Sequence, residues 1–510
     1  MAEKLKRDYD IIALKTEIGD WSERRKGGDE VRFTLQFHVD GALQDGPQWY
    51  APIATIVSTE RLGRRNTRDS ELALRLPEDL LDGLRNWFQQ ETRGDRPLWI
   101  HLVKPYGQLR LVPWERLLGN ALNVPILMLP DFIFPPPREA MTVLDVVLCG
   151  SAPLGHEESS VINAVQQAVD RILSAVARRV RIHVFVDNEI ASQLSAYWKS
   201  QDWNNKGLPD KKVTLYNNNA AAPYVAEDLG SRQLYQSGTL RSPWLLWMRN
   251  ALAGRGVDVV HFVCHGYLSR ERGAMLFAQS PLERTHRYLA GPVGAVELQT
   301  FLTQVGAWST VFTSLMDNYS EPGLRALADE IAQTRPGPMM MHMLREDASA
   351  AALAEGYRFL YSPEPHEPPR STALFIYCQP YLTSDVMEWQ RGVAAPGASR
   401  VPLEIFTRNT LQHRTAIRSL ARSPLSNFIE GKEDVSAWVA STERFAEQVQ
   451  LRYQQLARDE ILPKGSSRER EALDTLDKLR EAVAEQESTS DKTGGTPSKK
   501  GRMLGSEGAM

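Results

Sequence analysis

From residue 141 onward the chain repeats one pattern: a short apolar run rich in β-branched residues, then a longer segment with apolar residues at helical spacing, then another apolar run. Thr142-Val-Leu-Asp-Val-Val-Leu-Cys149 is the first such run, and the segment after it places Val161, Ile162, Val165, Val169, Ile172, Leu173 and Val176 on one helical face. Further runs read as strands at Val180 to Val186, Val213 to Tyr216, Val257 to Cys264, Trp308 to Leu315 and Pro338 to Leu344. A strand that is apolar on both faces needs cover on both faces, and strands alternating with helices are joined by crossovers. The pattern therefore predicts an α/β fold with a mostly parallel sheet flanked by helices.

What precedes and follows this repeat is different. Residues 1–94 read as an N-terminal α+β segment. Val31 to Val39 alternates like a strand, and Leu76 to Phe88 has helical spacing with Pro77 and acids in its first turn. Pro97 to Val103 gives another strand, and Tyr106 to Leu118 reads as a turn, a short strand and a packed helix start. The main domain spans 95–385, interrupted by the boundary-like Pro135-Pro136-Pro137, and closes with a late strand at Ala373 to Cys378. Residues 386–486 read as a C-terminal helical region whose apolar stripe needs cover, and so as a possible route to oligomers. Residues 487–510 have the Ser, Thr, Gly and Lys content of a disordered tail.

Composition limits the function classes. With 60 Lys and Arg against 63 Asp and Glu, the net charge of −3 offers no field for nucleic acid or anionic lipid, so neither partner is expected. No apolar run is long enough for a membrane span and no signal-peptide pattern opens the chain, which leads to the expectation of a cytoplasmic protein. Cys149, Cys264 and Cys378 stand singly in apolar runs, so no structural metal, no disulfide framework and no cofactor is expected. Trp244, Trp247 and Met248 share helical spacing and read as core.

Catalytic groups in open parallel sheets sit where strands end at their carboxyl side. His265-Gly266 follows such a run: the histidine leaves its strand just as the chain turns, and the glycine lets the backbone approach a bound group closely. The next strand ends at Leu315, fifty positions on. Val259-Val-His-Phe-Val-Cys-His-Gly266, the upstream Leu109-Arg-Leu-Val-Pro-Trp-Glu-Arg-Leu-Leu118 and the downstream Gly323-Leu-Arg-Ala-Leu-Ala-Asp-Glu-Ile331 together resemble the CHAT domain, a branch of the caspase-like cysteine peptidases. The resemblance implies a caspase-like sheet, His265 as general base, Gly266 as an oxyanion donor through its N–H, and a context in bacterial signalling or defence complexes.

One departure changes the chemistry. Thr313-Ser-Leu-Met-Asp-Asn318 puts Leu315 where the family has its nucleophilic cysteine, and a hydrocarbon cannot form a thioester. Cys149 lies at the end of the first strand and could reach the crevice rim, whereas Cys264 should point into the core, opposite His265. Ser314 and Ser320 are weaker nucleophiles that would need His265, and Asp317 either orients that histidine or caps the following helix. Three readings follow: a catalytically impaired pseudo-peptidase that regulates or binds a protein or peptide, an active endopeptidase with a displaced nucleophile, and a structural assembly subunit.

Overall fold

The computed structural model describes residues 11–383, except 20–29, 40–41, 62–69, 92–95, 105, 131–142, 154–157, 200–211, 226–239, 270–271, 283–289, 318–319, 336 and 365. The C-terminal helices and tail expected over 386–510 lie outside the described residues.

The first part of the chain contains β1 (Ile11–Gly19), β2 (Glu30–Val39), β3 (Ala42–Pro52), the single turn α1 (Ile53–Ile56), β4 (Val57–Arg61), β5 (Ser70–Leu74), α2 (Glu78–Glu91), β6 (Leu98–Val103), α3 (Trp114–Leu122) and β7 (Ile126–Met128). The short strand expected between Tyr106 and Leu118 does not form: a 3-10 turn over Gly107–Leu111 leads into α3 instead. Gly107 enters it at φ 47, and the Trp114 indole N–H donates to the Leu109 carbonyl, which folds the segment back on α3. Short apolar runs next to Gly and Pro do not by themselves distinguish a strand from such a turn.

The repeating part contains β8 (Val143–Gly150), α4 (Glu158–Ala175), β9 (Arg179–Val186), α5 (Asn188–Lys199), β10 (Lys212–Leu215), α6 (Pro243–Leu252) and β11 (Val259–Ser269). It continues with β12 (Arg272–Ala278), β13 (Ala290–Gly294), α7 (Ala295–Gln304), β14 (Ser309–Ser314), α8 (Ser320–Ala332), β15 (Met339–Met343), α9 (Ala351–Tyr361) and β16 (Leu374–Tyr377). These elements form the expected α/β architecture. One large mixed sheet runs β10-β9-β8-β11-β14-β15-β16-β7-β6-β1-β2-β3, and its β10-to-β15 half is parallel throughout. Because β1 pairs with β6, the segment 1–94 and the region 95–385 share this sheet. Strand direction reverses at β16, which runs antiparallel to β15 and parallel to β7.

The chain winds outward through β9 and β10, then returns across β8 to β11 and continues to β14 and β15. That return makes the β8/β11 boundary the point at which strand order reverses. Two apolar layers cover the sheet. Phe262, Cys264, Phe312, Met341, Trp244, Trp247 and Leu327 belong to the layer under α6, α7 and α8. Val259, Val263, Val311, Met340, Ile172, Leu353 and Tyr357 belong to the layer under α4 and α9. Trp244 stacks on Phe277 and Trp247 meets Phe185 edge-on, as the core reading of that helix requires. Among the described residues no helix is long and apolar enough to cross a membrane.

Candidate functional site

His265 does not leave its strand where the sequence suggested. The parallel ladder between β11 and β14 stops at Cys264↔Ser314, but β11 runs on to Ser269 because β12 becomes its antiparallel partner, from His265↔Leu276 to Ser269↔Arg272. His265 therefore sits where β11 exchanges one neighbour for the other. His265 and Leu315 each come one position after the last pair of that ladder, at the carboxyl ends of its two parallel strands.

Asp317 sits within reach of this histidine. Its Oδ2 is 2.6 Å from His265 Nδ1, so the carboxylate accepts the Nδ1 proton and Nε2 is the basic nitrogen of the neutral ring. The same carboxylate begins α8: its Oδ1 accepts from the Ser320 N–H at 2.6 Å and its Oδ2 from the Ser320 hydroxyl at 2.6 Å. Burial would raise the Asp317 pKa, but the hydrogen bonds from His265 and Ser320 outweigh it and hold the carboxyl at about 2. Orienting the histidine and capping the helix, the two roles open for Asp317 in the sequence, are both performed. Ser320 lies on the Nδ1 side, 3.3 Å from that nitrogen, and spends its proton on Asp317. It is therefore on the wrong side of the ring for activation by a base at Nε2.

The other candidates are spread around this dyad and covered. Leu315 is 3% exposed and belongs to the apolar layer of α4 and α9. Ser314 is buried one residue earlier, in register with Met343 on β15. Cys149 is not at a crevice rim: it is fully buried, beside Phe262 in the ladder, and burial pushes its thiol well above the ordinary value. The hairpin explains this, since the Ala278 N–H on β12 donates to the Ser151 hydroxyl just past β8 and closes that side of the boundary. Cys264 is fully buried as well, and burial raises its thiol far out of the thiolate range. The exposed large apolar side chains nearby are Tyr267, two residues past His265, and Met316, one past Leu315.

Gly266 has a steric role. A Cβ there would stand 2.0 Å from the Ser320 carbonyl oxygen and 2.8 Å from both Leu324 Cγ and Leu324 N. Gly273 on β12 meets α8 backbone in the same way, and Gly323 on α8 meets the Tyr267 backbone. Three glycines thus let α8 rest directly on the β11–β12 hairpin, which carries Asp317 and Ser320 up to His265.

Sequence reasoning missed the ion pair that holds α8 from its other side. Arg325, 1% exposed, donates to Glu115 at 3.0 Å and 2.5 Å and to Glu321 at 3.0 Å, and its guanidinium lies 4.3 Å over the Phe375 ring. One turn on, Asp329 accepts from the Tyr106 and Tyr377 hydroxyls, the latter at 2.6 Å. The stretches around Glu115 and Arg325, noted above only as separate motifs, are thus two halves of one buried contact. The available signal was Glu321, Arg325 and Asp329 at four-residue spacing, one charged stripe along a helix whose other positions are mostly small or apolar. Among the described residues no cluster of His, Cys, Asp and Glu could hold a metal ion. Set against family models, curated proteins and solved structures, the chain matches none of them.

Proposed function

We propose that the chain is a catalytically silent, peptidase-like module that binds a protein or peptide partner and regulates it. The observation that carries the reading is Leu315: a buried hydrocarbon follows the last residue of β14, while His265, on the neighbouring β11, is still held by Asp317 at 2.6 Å. Among the described residues no thiol bonds this base, and a base without a nucleophile cannot start acyl transfer. The buried thiols of Cys149 and Cys264 and the Asp317-bound hydroxyl of Ser320 weigh against a displaced nucleophile. Tyr267, 51% exposed, and Met316, 57% exposed, place two apolar side chains in solvent at the carboxyl ends of these strands, as partner surfaces do.

The test uses a peptidyl acyloxymethyl ketone and mass spectrometry on the full chain. The unaltered chain stays unlabelled. Leu315→Cys, which costs about 1–3 kcal/mol in lost packing, becomes labelled at the new thiol, and adding His265→Ala removes the labelling. Labelling of the unaltered chain that depends on His265 would overturn the silent reading. A new thiol no more reactive than free cysteine would overturn the peptidase-like one.

A further inference from the structure

Next to Glu115, α3 and the residues that lead into β16 leave a cavity of about 240 Å³ between them. Glu115, Gly119 and Asn123 line it from α3 and its cap, and Arg370 and Thr372 line it from the other segment.

Two independent features show space and bonding capacity held in reserve here. Glu115 is 3% exposed, and among the described residues its two oxygens accept only the two Arg325 N–H groups. A carboxylate has about four acceptor positions, so about two remain on a buried group that borders the cavity. Charge runs the same way: Arg325 and Arg116 are shared among Glu115, Glu321 and Glu346, so within this group three carboxylates face two guanidinium groups. Gly119 is the second feature. It stands inside α3, where glycine forms helix less well than alanine. Unlike Gly266, it avoids no clash: a Cβ there would meet Thr372 Cγ2 at 3.7 Å and Ile126 Cγ1 at 3.8 Å, both ordinary contacts. Its missing side chain keeps the cavity open.

The two walls differ in sign. The α3 wall holds the Glu115 carboxylate and the last turn of the helix, whose carbonyls carry the negative end of its dipole. Asn123 closes that turn at φ 55, its N–H on the Gly119 carbonyl. The facing segment brings the Arg370 guanidinium and the Thr372 hydroxyl. The volume lies below the roughly 300–1,000 Å³ of pockets for drug-sized ligands, so the occupant is small.

We propose that this cavity binds a small zwitterion of the amino-acid type, its ammonium at Glu115 and the α3 terminus and its carboxylate at Arg370 and Thr372. A free amino acid with a short apolar side chain answers both walls at once and sets that side chain against Val124 and Ile126, which are buried and line the same space. A bare amine leaves the second wall unanswered, and a bare carboxylate brings another negative charge toward Glu115. The bound zwitterion ties α3 to the segment before β16, so it favours the folded chain. The proposal does not depend on His265 or on any peptidase-like reading.

Titration calorimetry and melting curves on the full chain test it. The probes are glycine, L-valine and L-leucine, with isobutylamine and isovalerate as L-valine stripped of one charged end or the other. At least one amino acid is expected to bind and to raise Tm, and the two stripped probes to bind at least about tenfold more weakly than L-valine. Gly119→Leu is expected to fill the cavity and abolish binding while the ligand-free melt stays or rises, because leucine is the better helix former. Thr372→Val is expected to weaken L-valine about tenfold and to leave isobutylamine unchanged, and it decides the matter if Gly119→Leu does not fold. The proposal is overturned if none of the three amino acids gives heat or a melting shift at millimolar concentration. It is equally overturned if either stripped probe binds as tightly as L-valine, or if a folded Gly119→Leu chain binds like the unaltered one.

Discussion

A charged side chain buried in this protein needs partners for its polar atoms, and Glu115 with Arg325 is the clearest case among the described residues. Both are nearly inaccessible, and the Arg325 guanidinium bonds two carboxylates while lying over Phe375. Removing one member leaves the other buried without its counter-charge, which is worse than removing both. Glu115→Gln is expected to cost about 3–5 kcal/mol in urea unfolding, and Glu115→Leu combined with Arg325→Met clearly less than the sum of the single changes. Additive losses in that cycle would show that the pair is not coupled. At this scale the sequence was legible where chemistry is local. Asp317 and Leu315 could be placed because each stands just after a recognisable strand, and His265 because it follows an apolar run. The Glu115–Arg325 contact could not, since its partners are 210 positions apart and nothing in either neighbourhood names the other.

Elements were legible to the extent that they are continuous. β8, β9, β11, β14 and β15 are near-unbroken apolar runs because both their faces are covered, and such runs stand out. β12 and β13 were not anticipated: Arg272–Ala278 buries every second residue with a glycine inside, and Ala290–Gly294 is short and contains a proline. Missing that hairpin is why His265 was expected at a chain turn and Cys149 at an open rim. The hairpin also sets the demand on Gly266, whose missing Cβ is the space that the Ser320 carbonyl occupies. Gly266→Ala is expected to lower stability by about 1–3 kcal/mol or more, because α8 must lift from β11, and to weaken the His265–Asp317 bond with it. An unchanged melting temperature would contradict this, whatever the chain binds.

For the molecule as a whole, acid stability is a contest of signs. His261 titrates at about 3 when folded against 6.5 ordinarily, so the unfolded chain binds the extra proton first, and stability drops as pH falls from 6.5 toward 3. Asp258 works the other way. Burial, opposed by a backbone bond from Asp145, lifts it to about 6 from 3.8, so its contribution is full below 3.8 and is lost as pH rises through 6. Each group contributes about 1.4 kcal/mol per pH unit in its window, and the two oppose each other between 3.8 and 6. Below 3.8 Asp258 no longer compensates, while Asp317, held at about 2, and Asp347 add losses of the same sign as His261. Global stability is therefore expected to be nearly level from 6 to 3.8 and to fall steeply below. Chemical denaturation at a series of pH values checks it, and a steady decline through that interval would refute the cancellation.

The reversal at β16 also bears on how the protein is made. β7 (Ile126–Met128) has β6 on one side and must wait for β16 (Leu374–Tyr377) on the other, a gap of about 250 residues of translation. At about 5–20 residues per second, a growing chain spends roughly 12–50 seconds with a finished N-terminal sheet whose inner edge has nothing to pair with. Such an edge accepts foreign strands, so nascent chains are expected to need a chaperone there until Leu374 has emerged. Ribosome-bound fragments ending before residue 374 should aggregate or bind such a factor, and fragments extending well past 383 should not.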